Sequence, residues 1–241
     1  MFDAEFQPRR PTFRQTLGEF VAFTQRQRLT AASLAEIVAQ VPRGDGTSVL
    51  VIPSLFRGDE QTTNLRKLLD RLGYRAHGWG LGANLGPTNT LMGGAMMRLA
   101  DLTAQHGPIA VVGFSMGGMF ARWLAFHSAP RVRQVISVGS PIRQPLRSAF
   151  LPTSVWEAAW RGQNLEALAT EVERPLSVPS ASLYSRRDGI VAWESCCPWQ
   201  TNEARLEVAC HHVMMPQNPE VFRLIAETLA RNGDGSATSA H

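Results

Sequence analysis

The sequence predicts an α/β protein built on a parallel sheet, and three observations carry that prediction. Short apolar runs alternate with amphipathic helical stretches from about residue 46 to 231. Glycine and proline stop most of these segments, as Gly73 does after a leucine-rich helix. One apolar run, Ile109-Ala110-Val111-Val112, leads directly into Gly113-Phe114-Ser115-Met116-Gly117 and then into helix-forming residues. That G-x-S-x-G sits in the strand–turn–helix setting of a nucleophile elbow.

The elements follow in order. Phe13, Leu17, Phe20 and Val21 form one apolar helical stripe, with Arg14, Gln15, Glu19 and Gln25 on the other faces. A second short helix runs from Ser33 to Val41, stopped by Pro42 and Gly44. This pair, within an N-terminal helical extension over 1–45, either packs on the domain or lays a basic amphipathic face on a membrane surface in weak association. Ser48 to Pro53 reads as a buried strand, and Gln61 to Leu72 as a helix with Leu65, Leu68, Leu69 and Leu72 inward. Tyr74 to Trp79 returns as a strand. The Gly-rich loop from Gly80 to Asn89 is expected to be a flexible wall of the site, before a helix through Leu91, Met96, Leu99 and Leu102.

After the elbow and its helix, Val132 to Val138 is a strand. Residues 141–180 break the rhythm with five prolines around a helical centre carrying Trp156 and Trp160 on one face; the segment reads either as a small lid or as a long crossover. Strands over Ala181–Ser185 and Arg205–Val208 and a final helix opening near Pro219 complete the domain, taken as 46–231. The small polar tail 232–241 is expected to be disordered.

Composition narrows the function classes. A chain of 241 residues with 44% hydrophobic and 18% charged residues suits one globular domain, and no apolar run reaches the length of a membrane span. The first ten residues carry no apolar signal region, so a cytoplasmic location is expected. The net charge of +4 comes from scattered arginines, with Lys67 the single lysine, which argues against nucleic acid. Cys196, Cys197 and Cys210 fit neither a disulfide framework nor a zinc spacing and read as buried thiols, so no metal is expected. Gly80 and Gly82 supply G-x-G but no third small residue or following acid, so no nucleotide cofactor is expected either.

The chemistry then turns on Ser115. A serine hydroxyl needs a base, and the base needs an orienting acid. Asp188 stands at the carboxyl end of the Ala181–Ser185 strand on a D-G turn; taken alone, it reads as a turn former. His211 and His212 follow the next strand, and either one alone reads as an ordinary packed or surface imidazole. Serine, aspartate and histidine at successive strand ends, in that order, point together to nucleophilic catalysis.

These motifs carry a resemblance. Gly113-Phe114-Ser115-Met116-Gly117-Gly118, Tyr184-Ser185-Arg186-Arg187-Asp188-Gly189-Ile190-Val191, Gly139-Ser140-Pro141 and the histidine after the last strand resemble the smallest bacterial members of the α/β-hydrolase superfamily. Those are the class 2 lipases and their esterase and acyltransferase relatives. The resemblance spans about 46–231 and implies an α/β-hydrolase fold with Ser115 as nucleophile, Asp188 as orienting acid and His212, in preference to His211, as base.

It also implies an oxyanion hole from the N–H groups of Met116 and Leu55, with Phe56 as the fallback donor. Pro53 and Ser54 stand where the relatives carry His-Gly, and Met214 where they carry glycine. Phe56, Trp156, Trp160 and Met214, with Leu146, Phe150 and Met215, are candidates for an apolar acyl pocket, or else for core. The implied activity is hydrolysis of carboxylic esters, lipid-like or short-chain. Acyl transfer by the same triad and a non-catalytic binding role stay open.

Overall fold

The computed structural model describes residues 6–24, 30–149, 154, 165–199 and 203–231. Among these, β1 (Ser48–Ile52), β2 (Arg75–Gly78), β3 (Ile109–Phe114), β4 (Val132–Val138), β5 (Ser180–Tyr184) and β6 (Ala204–Glu207) form one sheet in the order β2-β1-β3-β4-β5-β6. All neighbours pair in parallel, with Ile52 opposite Gly113, Gly113 opposite Ser137 and Val138 opposite Leu183. The carboxyl ends of β1, β3, β4 and β5 therefore finish at one rim. The strand order reverses between β1 and β3, which opens the crevice where doubly wound sheets bind ligands.

Among the described residues the α-helices are α1 (Phe13–Thr24), α2 (Ala31–Gln40), α3 (Asp59–Leu72), α4 (Asn89–His106), α5 (Met116–His127), α6 (Pro145–Ser148), α7 (Leu165–Val172) and α8 (Pro219–Arg231). Alternate strand residues feed two cores. Val49, Val51, Val112 and Phe114 pack with α2, α3 and α8, whereas Leu50, Ile52, Ile109 and Val111 pack with α4, α5 and α7. Both faces of β1 and β3 are covered, so every residue in them is buried. That is why these strands read as unbroken apolar runs rather than alternating ones. The α3 helix places Asp59 and Glu60 in its first turn and Arg71 in its last, in line with its dipole, and Gly73 ends it at φ 101°.

The α1 helix packs on the domain, but through its polar side. Its apolar stripe does not pack on the domain: Phe13 and Phe20 are 76% and 69% exposed, and Leu17 and Val21 also face outward. The polar side docks instead. Thr16 donates to the Gly189 carbonyl at 2.7 Å, and Glu19 is buried among loop amides.

One buried ion pair fixes the elbow helix from behind. The Arg122 guanidinium meets Glu203 with contacts of 2.7 and 3.2 Å and donates to the Val172 and Arg174 carbonyls at 2.8 and 3.1 Å. It therefore ties α5 both to the end of α7 and to the segment entering β6.

Candidate active site

Ser115 closes β3 and opens α5 with φ 52° and ψ −118°, a backbone state costing an L-residue of order 1–3 kcal/mol. The surroundings enforce it. A Cβ on Gly113 would lie 2.1 Å from the Gly117 carbonyl oxygen, and one on Gly117 would lie 2.4 Å from that of Ile52. Strand, turn and helix approach this closely only because both positions lack a side chain. The Ser115 N–H donates to the Val138 carbonyl at 2.7 Å, which anchors the turn to β4.

Asp188 follows β5 and is buried. Its Oδ1 accepts the N–H groups of Ile190 and Val191 at 2.8 and 2.7 Å, while Oδ2 lies 2.6 Å from His212 Nδ1. Asp188 thus makes its local turn and meets the His212 ring at the same time. The His212 ring rests over Gly139 at the end of β4; a Cβ there would come within 3.2 Å of ring atoms Nδ1 and Cε1. Gly139 immediately follows Val138, the residue that holds the Ser115 N–H, so the imidazole and the elbow occupy the same rim. His211 points elsewhere, its Nδ1 3.8 Å from Glu19 Oε1.

Burial pulls the His212 pKa down, but the Asp188 charge, the hydrogen bond to it and the Glu19 charge outweigh that pull. The pKa ends above the ordinary histidine value. The three cysteines are buried free thiols. Burial and the charge of Asp188 push the Cys210 thiol up to about 12 and hold Cys196 well above its usual value, which makes both poor nucleophiles.

Ser115, Met116, Leu55, Phe56, His212 and Met214 line one cavity of about 700 Å³. Leu146, Met119, Leu165, Ile190, Val191 and Pro216 add apolar wall, while Arg57, Glu60, Gln61 and Gln217 contribute polar groups. Met215 is core, buried under Gly139. Trp156, Trp160 and Phe150, together with the tail, lie outside the described residues.

The loop after β1 sorts its amides. The Ser54 N–H donates to Gln61 Oε1 at 2.8 Å and the Phe56 N–H to the Asn84 carbonyl at 2.7 Å. Phe56 is therefore not the fallback donor, because its amide is committed to another loop. The Leu55 N–H falls between these two occupied groups in sequence, and Leu55 lines the same cavity as Met116, at the start of α5, where helix amides have no intrahelical partner.

The Gly-rich loop is not the expected wall either, since it contributes nothing to the cavity lining. It buttresses the 53–57 loop from behind. Asn84 is buried, its Nδ2 donates to the Pro53 carbonyl at 2.9 Å, and its backbone N–H to the Arg57 carbonyl at 2.8 Å. Asp59 holds the start of the Gly-rich loop by accepting the Trp79 and Gly80 N–H groups at 3.0 Å each.

Sequence reading missed Asn84 and Glu19. Both act on backbone groups distant in sequence, and the one local hint for Glu19 was its place on a face shared with Gln15 and Gly18 rather than on the apolar stripe.

With this geometry described, comparison with known proteins adds evidence for the fold. A family model for the alpha/beta hydrolase fold matches residues 96–196, a span that includes Ser115 and Asp188. No curated protein matches the chain. Among solved structures it is similar to a monoacylglycerol lipase of Paleococcus ferrophilus, with a TM-score of 0.58 at 15% identity over 80% of this chain and 97% of that one. A structure from the metagenome-derived lipolytic enzymes LipS and LipT gives 0.58 at 16% identity over 80% and 95%. The thioesterase domain of the curacin biosynthetic pathway gives 0.51 at 13% identity over 77% and 92%. At such identities the likeness speaks for the fold. Parallel sheet, flanking helices, elbow and matches agree, and the chain is an α/β-hydrolase-fold protein.

Proposed function

We propose that the protein is a serine hydrolase of carboxylic esters that works through an acyl-enzyme. The observation that carries this reading is the Asp188–His212 pair, 2.6 Å apart, whose His212 lines the same cavity as a serine held at φ 52°. His212 takes the proton of Ser115 as its Oγ attacks the ester carbonyl, and Asp188 stabilises the imidazolium that forms. The Met116 and Leu55 N–H groups receive the oxyanion, each lowering the barrier by roughly 3 kcal/mol. The imidazolium then protonates the departing alcohol. Water, deprotonated by the same ring, releases the acid and restores the serine.

The mainly apolar wall favours acyl chains over polar acids, and the exposed stripe of α1, whose Phe20 lines the cavity, favours lipid-like esters presented at a surface. Steady-state hydrolysis of p-nitrophenyl butyrate against palmitate tests this: kcat/KM is expected to rise with chain length. A folded protein inactive on every ester contradicts the proposal. Adding an alcohol or thiol acceptor during turnover separates hydrolysis from acyl transfer, with free acid expected as the main product.

A further inference from the structure

We infer that Glu19, carried by the N-terminal helix α1, is a positioning residue that locks the Asp188 and His212 loops together. The inference rests on the serine-hydrolase reading. Glu19 Oε1 accepts the N–H of Gly189 at 2.7 Å and that of His212 at 2.9 Å, and Oε2 accepts the N–H of Val213 at 2.9 Å. One carboxylate therefore bonds the residue after the acid, the base itself and the residue after the base.

A carboxylate only 3% exposed is costly unless its oxygens are met by donors, and here each oxygen is met by backbone amides. Charge-assisted bonds to main chain constrain loops more tightly than side-chain contacts alone, because the amides cannot rotate away. The contact is also sterically built. A Cβ on Gly189 would lie 2.3 Å from the Gln15 carbonyl oxygen, and one on Gly18 would lie 2.9 Å from His211 Cε1. The Thr16 and Arg10 side chains add bonds to the Gly189 and Arg147 carbonyls.

The consequence is functional as well as structural. The Asp188 and His212 loops leave different strands, and the hydrogen bond between their side chains depends on the register of the two loops. Glu19 fixes that register from the wall of the same cavity that Ser115 and His212 line. It also adds negative charge near the imidazole, alongside Asp188, with His211 and the Cys210 thiol the other titratable groups near Glu19 among the described residues. The N-terminal helix is thus part of the catalytic apparatus, not a detachable extension.

The test compares wild type, Glu19→Ala and Glu19→Gln in ester turnover, in fluorophosphonate labelling rate across the pH range, and in thermal melting, with Ser115→Ala as the blank. Glu19→Ala is expected to lower kcat and the labelling rate together by about 10- to 100-fold, with KM changing by less than about threefold. Glu19→Gln retains one acceptor oxygen, restores part of the rate and shifts the acid limb of the profile to lower pH, because the charge that favours the imidazolium is gone. The isosteric Gln variant carries the test if the Ala variant does not fold.

A Glu19 variant that melts earlier but keeps the wild-type kcat and acid limb below its melting point overturns the inference and leaves Glu19 as a structural brace. A folded wild type that neither labels nor turns over ester overturns the hydrolase reading, and the role of Glu19 with it.

Discussion

His212 Nδ1 lies 2.6 Å from Asp188 Oδ2, while the other oxygen of that carboxylate is held by two backbone amides. The carboxylate cannot swing away, so the imidazole is held in one orientation through its Nδ1. Because the His212 pKa is raised, kcat/KM is expected to fall on acidification with a midpoint above the ordinary histidine value of about 6.5. Asp188→Asn removes both attractions, so it should move that midpoint down and cut kcat by about 10⁴. The linkage sign follows from the raised pKa. The stability it contributes is fully present below the unfolded histidine pKa and is lost as pH rises through the folded one. Melting curves of wild type and Asp188→Asn across that window check it.

Asn84 does not line the cavity, yet it ties the loop bearing the Leu55 N–H to the Gly-rich loop through Pro53, Phe56 and Arg57. Asn84→Ala is expected to lower kcat by about 10- to 100-fold, because a misplaced amide no longer meets the developing oxyanion. Stopped-flow acylation with a chromogenic ester reads the step directly. An unchanged acylation rate in the variant would remove Leu55 from the oxyanion hole.

Arg122 is wholly buried against Glu203 and two carbonyls. Arg122→Ala strands the glutamate without its partner and is expected to destabilise the fold by about 3–5 kcal/mol, measured by urea denaturation. A loss within about 0.5 kcal/mol would show that water replaces the guanidinium freely.

The exposed stripe of Phe13, Leu17, Phe20 and Val21 adjoins the cavity mouth. Replacing Phe13 and Leu17 with serine, neither of which lines the cavity, is expected to reduce hydrolysis of ester in phospholipid vesicles several-fold. Turnover of a monomeric soluble ester should stay unchanged. Equal loss on both substrates would assign the stripe to folding instead of surface contact.

What the sequence disclosed, and what it withheld, follows from how local each cause is. The strands were legible because burial on both faces makes a continuous apolar run, as in Ser48–Ile52 and Ile109–Phe114. The elbow was legible because the residues that must be small, Gly113 and Gly117, lie within five positions of one another. The docking face of α1 was not. Periodicity locates an apolar stripe but not whether that stripe or the opposite side meets the protein, and here the polar side does. Glu19 was illegible for a related reason: its partners Gly189 and His212 are 170 and 193 positions away and bind through main-chain amides, which leave no trace in side-chain type. The same holds for Asn84, whose Nδ2 meets a carbonyl 31 positions back.

The most direct measurement is mass spectrometry of the protein after reaction with a fluorophosphonate. A single adduct on the peptide containing Ser115, absent in a folded Ser115→Ala variant and slowed in Asp188→Asn, is the expected result. An adduct on another residue, or none on folded wild-type protein, contradicts an activated serine at the end of β3.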